Sequence, residues 1–370
     1  MEYGIVGRFS EGWYLYQAWP TVAKDKNGTI YAAASGHRLA HVCPFGKNLM
    51  YVSHDEGETW SMPQIINDTK LDDRDAGLVC WGDGNMLLSW FNNTDDAGIY
   101  SAENRVARWP NLGQPYSKAM LEKWKDVPRE QFGSFTKVSR DYGKTWSEAR
   151  KAPVTAPHGP IRRADGSFLY VGTERLSDLD VPKDAVCAVQ SFDDGATWEF
   201  LSALPVPVLE NGGKVISICE PHCVDLGDNE ILAAVRCVAT GSDDELGDQF
   251  CMTVYTCRSL DGGKTWQEPV FMKEFGAPPH FMIHSSGALI LSVGKRVRPF
   301  GQYVRVSYDK GHTWTEDLMV SPESPVTDQG YPSTVELRNG DLLTVYYQRC
   351  PGDDYCSILY TRWSLDELKK

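Results

Sequence analysis

The ten cysteines of this chain include no Cys-x-x-Cys pair, so the paired thiolates that hold structural zinc are missing. Cys43, Cys80, Cys187, Cys219, Cys223, Cys237, Cys251, Cys257, Cys350 and Cys356 are scattered, many of them in apolar runs. They read as buried free thiols, although an even number also permits disulfides. No metal or other cofactor is expected. Long apolar stretches are lacking too: none approaches the ~20 residues that span a bilayer, and no membrane partner is expected. Basic charge is in deficit, with 37 Lys and Arg against 50 Asp and Glu and a net charge of -13, which argues against a nucleic-acid partner. The first residues, Met1 to Val6, show no basic start followed by an apolar segment. The expectation is therefore a cytoplasmic protein, or a secreted or periplasmic one whose leader has been trimmed. At 370 residues and 42% hydrophobic, the chain can bury a substantial core.

What the sequence does have is an eight-residue pattern, Ser-x-Asp-x-Gly-x-Thr-Trp, repeated five times. It runs Ser53 to Trp60, Ser139 to Trp146, Ser191 to Trp198, Ser259 to Trp266 and Ser307 to Trp314. Each residue type has a local reason. The Asp accepts hydrogen bonds from its own turn, the Gly supplies positive φ, and the Trp folds back as an apolar plug. Each copy reads as a rigid turn between two strands. Upstream of each lies a second recurring unit, a short apolar strand, a Gly-bearing turn and another apolar strand. Its turns fall at Asn27-Gly28, Asp83-Gly84, Asp165-Gly166, Gly227-Asp228, Ser286-Gly287 and Asn339-Gly340, several of them strong hairpin signals. That makes six units of about 62 residues, the length of four strands with loops. The sixth ends in Ser364-Leu-Asp366, similar to a worn copy of the Asp turn. The expected fold is all-β, a single six-bladed β-propeller over 1–370, with one helical loop insertion near 115–130.

In an up-and-down blade, the turn joining strands three and four lies opposite the face where strand one starts and strand two ends. The repeated aspartates are therefore expected to be structural. The other face collects Trp19, His37, Arg38, His41, Arg74, Asp75, His158, Glu220, Arg236, His280, Arg296, Arg298, Tyr331 and Gln348. Convergent Arg points to recognition of a carboxylate or phosphate.

The whole chain resembles the sialidase superfamily of six-bladed propellers with Asp boxes. That family uses a Tyr nucleophile with a Glu partner, an Asp acid/base and three Arg around the substrate carboxylate. The resemblance implies Glu220 as the partner (Cys219-Glu-Pro-His-Cys-Val-Asp-Leu226), Arg236 as the second Arg, Arg296 or Arg298 as the third, and Tyr331 (Gly330-Tyr-Pro-Ser-Thr-Val335) as the nucleophile. Two departures stand out. The Arg-Ile-Pro triplet that opens the first blade is here Ala18-Trp19-Pro20, and the Glu that would hold its Arg is Gln348. Losing a cation and its counterion together avoids a lone buried charge, which would cost several kcal/mol. The loop expected to carry the Asp acid/base runs Ser35 to Pro44 and has no carboxylate. His37 or His41 takes the proton-transfer role in this reading.

The leading expectation is an exo-acting glycoside hydrolase with a glycan substrate that ends in an acidic sugar. Arg236, Arg296 or Arg298, and Arg38 would meet the acidic group. Arg74, Asp75, His158, His280, Gln348 and Trp19 would line the site. The alternatives are a lyase acting on uronic acids, with Tyr331 and a His as base and acid, and a glycan-binding propeller without catalysis.

Overall fold

The computed structural model describes residues 1–93 except 13 and 42, residues 122 and 124–209, and 213–240, 251–272 and 276–369. Within these, six antiparallel sheets follow one another along the chain. Blades one and two run in the orders Tyr16–Lys24, Ile30–Arg38, Lys47–Ser53, Gln64–Asn67 and Asp72–Trp81, Asn85–Asn93, Gly133–Ser139, Arg150–Ala152. The third blade splits its inner strand into Val154–Thr155 and Ile161–Arg162. Blades four, five and six have the inner strands Lys214–Asp225, Pro279–Ile283 and Gly330–Glu336. The fold is therefore the expected six-bladed β-propeller. Among the described residues no helix is long and apolar enough to cross a membrane.

The sixth blade closes the ring by a route the repeat pattern does not disclose. Its outermost strand is the N-terminal segment Glu2–Gly7, which pairs antiparallel with Cys356–Trp363, Glu2 opposite Arg362 and Ile5 opposite Leu359. The Asp turn expected at Ser364-Leu-Asp366 is thus absent, and Leu365–Lys369 forms a 3-10 turn. With the fourth strand supplied from the other end of the chain, no hairpin exists there for an Asp turn to close.

The five intact Asp turns share one hydrogen-bond plan. In the first, Ser53 Oγ donates to Asp55 Oδ1 at 2.8 Å and accepts from Gly57 N at 2.8 Å, while Thr59 N donates to Asp55 at 2.9 Å and Thr59 Oγ1 at 2.5 Å. The Thr hydroxyl and amide hold the carboxyls of Asp55, Asp141 and Asp261 down at about 2. The turn glycine also locks neighbouring blades together. Gly57, at φ +89°, is packed so that a Cβ would lie 3.2 Å from Leu343 of the sixth blade.

Most of the expected helical insertion lies outside the described residues. Glu122 and Trp124 are helical and a 3-10 turn covers Arg129–Gln131. Trp124 anchors this end of the loop: it is buried against Leu71 and Val127, and its indole N–H donates to Lys70 O at 2.9 Å. The nine cysteines with described side chains are free.

Candidate active site

Four of the six inner strands carry the same irregularity. Trp19, Asp75, Glu220 and Tyr331 have left-handed φ values of 54°, 49°, 50° and 56°. Each falls where the register with the second strand slips: between Ala18 and Thr21, Arg74 and Gly77, Cys219 and His222, and Gly330 and Ser333. Such bulges re-aim a side chain. A bulky residue at positive φ costs about 1–3 kcal/mol and persists where the surroundings enforce it, which is a mark of functional sites. Three of the four precede proline (Pro20, Pro221 and Pro332). The strain gathers four chemically distinct side chains from blades one, two, four and six at one mouth of the propeller.

At the centre, the Tyr331 hydroxyl donates to Glu220 Oε1 at 2.6 Å, and Arg236 Nη1 donates to Glu220 Oε2 at 2.6 Å. Glu220 and Arg236 retain side-chain exposures of 20% and 18%, so the pair borders solvent. Burial pushes the Glu220 carboxyl up, but Arg236, the Tyr331 hydrogen bond and Arg296 outweigh it and hold the group below the usual carboxylate range. Burial, then the charges of Glu220 and Asp75, push the Tyr331 phenol well above its ordinary value. At neutral pH this is a neutral phenol hydrogen-bonded to a carboxylate. Asp75 is buried, and its Oδ1 has no hydrogen-bond partner. Burial first, with Glu220 adding and Arg74 opposing, lifts its carboxyl to about 7.

Trp19 fills the space beside this pair. Its ring is edge-on to Tyr331, Tyr347 and His41, with centroids at 6.4, 6.2 and 5.0 Å. The Arg74 and Arg38 guanidinium carbons lie 4.0 and 4.8 Å from its centroid. His41 is 44% exposed, and its Nδ1 lies 2.9 Å from Asp328 Oδ1. The Tyr16 hydroxyl is 3.0 Å from the same nitrogen and from both Asp328 oxygens, and the Tyr347 hydroxyl donates to Asp328 at 3.1 Å. Burial pushes Asp328 up, but His41 and the two tyrosines bring it down to about 2. Asp328 was not among the sequence candidates. Its only signal is position, three residues before Tyr331 in the segment entering the last inner strand.

Several sequence candidates lie elsewhere. Arg38 is wholly buried, and its guanidinium is occupied by Asp72 (Nη2 to Oδ2 at 3.1 Å), Ser35 Oγ at 3.1 Å and the carbonyls of His41 and Cys43. It braces the loop that carries His41 and does not face the mouth. Arg298 is 70% exposed and pairs with Glu323 at 3.2 Å. Arg296 instead turns inward, donating to Gln329 O at 3.1 and 3.3 Å, close enough to act on Glu220. His37 packs against Phe9 with centroids 5.7 Å apart. Gln348 is buried and donates to Pro322 O at 3.2 Å.

His158 and His280 join His222 inside the central channel, with ring centroids 4.6–5.7 Å apart. Room there is so limited that a Cβ on Gly77 would lie 2.4 Å from Gly159 N. Burial drives all three imidazoles down, His222 to about 3. The rings of His222 and His280 stack at 19°. Among the described residues, no group of three His, Cys, Asp or Glu is arranged to hold a metal ion.

A family model described as "BNR/Asp-box repeat" matches residues 51–62, the first Asp turn. No curated protein matches the chain in sequence. Similar solved structures cover the whole propeller. A protein of unknown function from Dyadobacter fermentans has a TM-score of 0.73 and 23% identity, covering 98% of each chain. An intramolecular trans-sialidase from Ruminococcus gnavus has a TM-score of 0.64 and 14% identity, over 99% of this chain and 98% of that one. An α-L-arabinanase from Penicillium chrysogenum has a TM-score of 0.61 and 13% identity, over 98% of each. Identities this low speak for the fold alone: the chain is a six-bladed Asp-box propeller of the architecture found in sialidases and in at least one arabinanase.

Proposed function

We propose that this protein is an exo-acting glycoside hydrolase that works through a Tyr331 nucleophile. The observation that carries the reading is the 2.6 Å hydrogen bond from the Tyr331 hydroxyl to Glu220, whose other oxygen is held by Arg236. A free phenol, with an ordinary pKa near 10, is a weak nucleophile at neutral pH. Here a carboxylate stands ready to take its proton as it attacks the anomeric carbon, the logic of a nucleophile with an adjacent base. Tyrosine nucleophiles are a known departure from the two-carboxylate scheme of glycosidases. The protonated His41 imidazole then gives a proton to the departing oxygen as the glycosidic bond breaks, and its electron pair leaves with that oxygen. Water attacks the tyrosyl intermediate in the second step and loses its proton to His41, and Glu220 returns a proton to the Tyr331 oxygen.

The substrate is a terminal acidic sugar, met by Arg236 and Arg296. Arg38 is occupied by Asp72, Arg298 pairs with Glu323, and Trp19 stands where sialidases carry an Arg. A reduced set of cations favours an acidic group held by two Arg over the three-Arg arrangement of sialidases. Comparing hydrolysis of 4-nitrophenyl sialoside, glucuronide and neutral glycosides tests this reading. Turnover of an acidic substrate that is abolished in Tyr331→Phe is expected. Turnover unchanged by that substitution contradicts it.

A further inference from the structure

The Asp328–His41 pair is placed to set which imidazole nitrogen handles protons. Asp328 is held ionised by two tyrosine hydroxyls and by His41 itself. An ionised carboxylate only accepts hydrogen bonds. The 2.9 Å contact with His41 Nδ1 therefore requires the proton to sit on Nδ1. His41 Nε2 makes no hydrogen bond to the described residues, and the ring is nearly half exposed at the mouth. The same short segment carries Asp328, Gln329, whose carbonyl takes Arg296, and Tyr331. The orienter of His41, an anchor of Arg296 and the nucleophile are thus fixed together.

We propose that Asp328 is the positioning residue of this site, holding His41 in the Nδ1–H form so that Nε2 is the proton-transfer atom facing the substrate. The proposal rests on the hydrolase reading and supplies the acid/base that the first-blade loop lacks as a carboxylate. The groups facing His41 are Asp328 and Tyr16 at Nδ1, Arg38 and Arg74 at its carbonyl, and the Trp19 ring at its side. Burial is the main force holding the His41 imidazole below its ordinary value, Asp328 opposes it, and the Arg74 and Arg38 guanidiniums add to it, so removing Asp328 moves proton donation to still lower pH.

Nitrogen-15 NMR of the full chain at pH 8, with His41 assigned by its loss in His41→Gln, reads the tautomer without any substrate. An Nδ1–H, Nε2-unprotonated imidazole is expected in the wild type and in Asp328→Glu, and a mixed population in Asp328→Asn and Asp328→Ala. An Nε2–H tautomer in the wild type overturns the proposal. Kinetics supply a second readout that a purely structural role would not move. On the phenyl glycoside of the accepted sugar, which needs its leaving oxygen protonated, Asp328→Asn is expected to lose about 10–100-fold in kcat. On the dinitrophenyl glycoside, which leaves unaided, it is expected to lose less than about threefold. The alkaline limb of kcat/KM should move to lower pH. Equal losses on both leaving groups overturn the proposal. Failure of the hydrolase reading is separately visible, because the wild type would then hydrolyse none of the aryl glycosides, or Tyr331→Phe would leave hydrolysis intact, while the tautomer result stands.

Discussion

Replacing Glu220 by Gln keeps the side chain's shape and removes its charge, so it separates base catalysis from packing. Glu220 accepts two hydrogen bonds, from Tyr331 and Arg236, both at 2.6 Å. Charge-assisted bonds are worth about 1.5–3 kcal/mol and neutral ones about 0.5–1.5, so neutralising the acceptor costs about 1 kcal/mol at each. The total is about 2 kcal/mol, reduced by the partial exposure of the pair. With unfolding entropy near 2.1 cal/mol/K per residue over 370 residues, this is a fall of no more than about 3 °C in Tm. The catalytic effect should be much larger. Losing the base that takes the Tyr331 proton costs about 10²–10⁴-fold in kcat, some 3–5 kcal/mol of barrier at 1.36 kcal/mol per decade. Calorimetry together with kcat on a 4-nitrophenyl glycoside checks both numbers. A variant that melts within 3 °C of wild type and keeps activity within threefold would refute Glu220 as the base.

Arg38→Met should destabilise the fold by about 1–3 kcal/mol, less than a lone buried charge would cost, because Arg74 still approaches Asp72 at 3.6 Å, while KM in the folded fraction stays unchanged; urea titration and kinetics test this. The buried histidine cluster makes the propeller acid-sensitive. A histidine with a depressed folded pKa stays neutral while its unfolded form takes up protons below about 6.5, so its contribution is present above that pH and is lost as pH falls towards the folded value. Asp73 and Asp75, pushed up to about 7 by burial, take up protons in the same window with the opposite sign, so the test is differential. Going from pH 7 to pH 5, His222→Asn should lose about 2 kcal/mol less than the wild type, and identical pH slopes in denaturant melts would contradict this. Asp75→Asn should raise Tm by a few degrees at pH 8, where burial of the ionised Asp75 is costly, with little change at pH 5, where the folded group already carries its proton. An equal shift at both pH values would count against it.

The five Asp turns made the scaffold legible because each is a local structure written in eight adjacent residues. The closing strand Glu2–Gly7 was not legible, since it joins the sixth blade only through pairing across the whole chain. That same pairing explains why Ser364-Leu-Asp366 imitates an Asp turn without forming one. Tyr331 and Glu220 are read on inner strands and Arg236 on the strand that follows one, and the structure brings them into contact. The positive φ values at Trp19, Glu220 and Tyr331 were not legible, because a following proline biases the residue before it towards extended backbone with negative φ. The arginines were harder to sort: nothing in Ser35-Gly-His-Arg38 distinguishes a cation facing the mouth from one consumed by Asp72, because the partner lies 34 residues away. His158 and His280 were read singly as lining residues, whereas their register on inner strands places them in the channel. Asp328 was missed for the complementary reason, as its partners Tyr16, His41 and Tyr347 come from three other segments.

The most direct test of the central claim is to trap the intermediate. A slowly hydrolysed fluorinated glycoside of the accepted acidic sugar, with an activated leaving group, should add one glycosyl mass to the intact protein. Peptide mapping by mass spectrometry should locate that mass on Tyr331, with none in Tyr331→Phe. Turnover with inversion at the anomeric carbon and no adduct, or an adduct on another residue, would contradict the account.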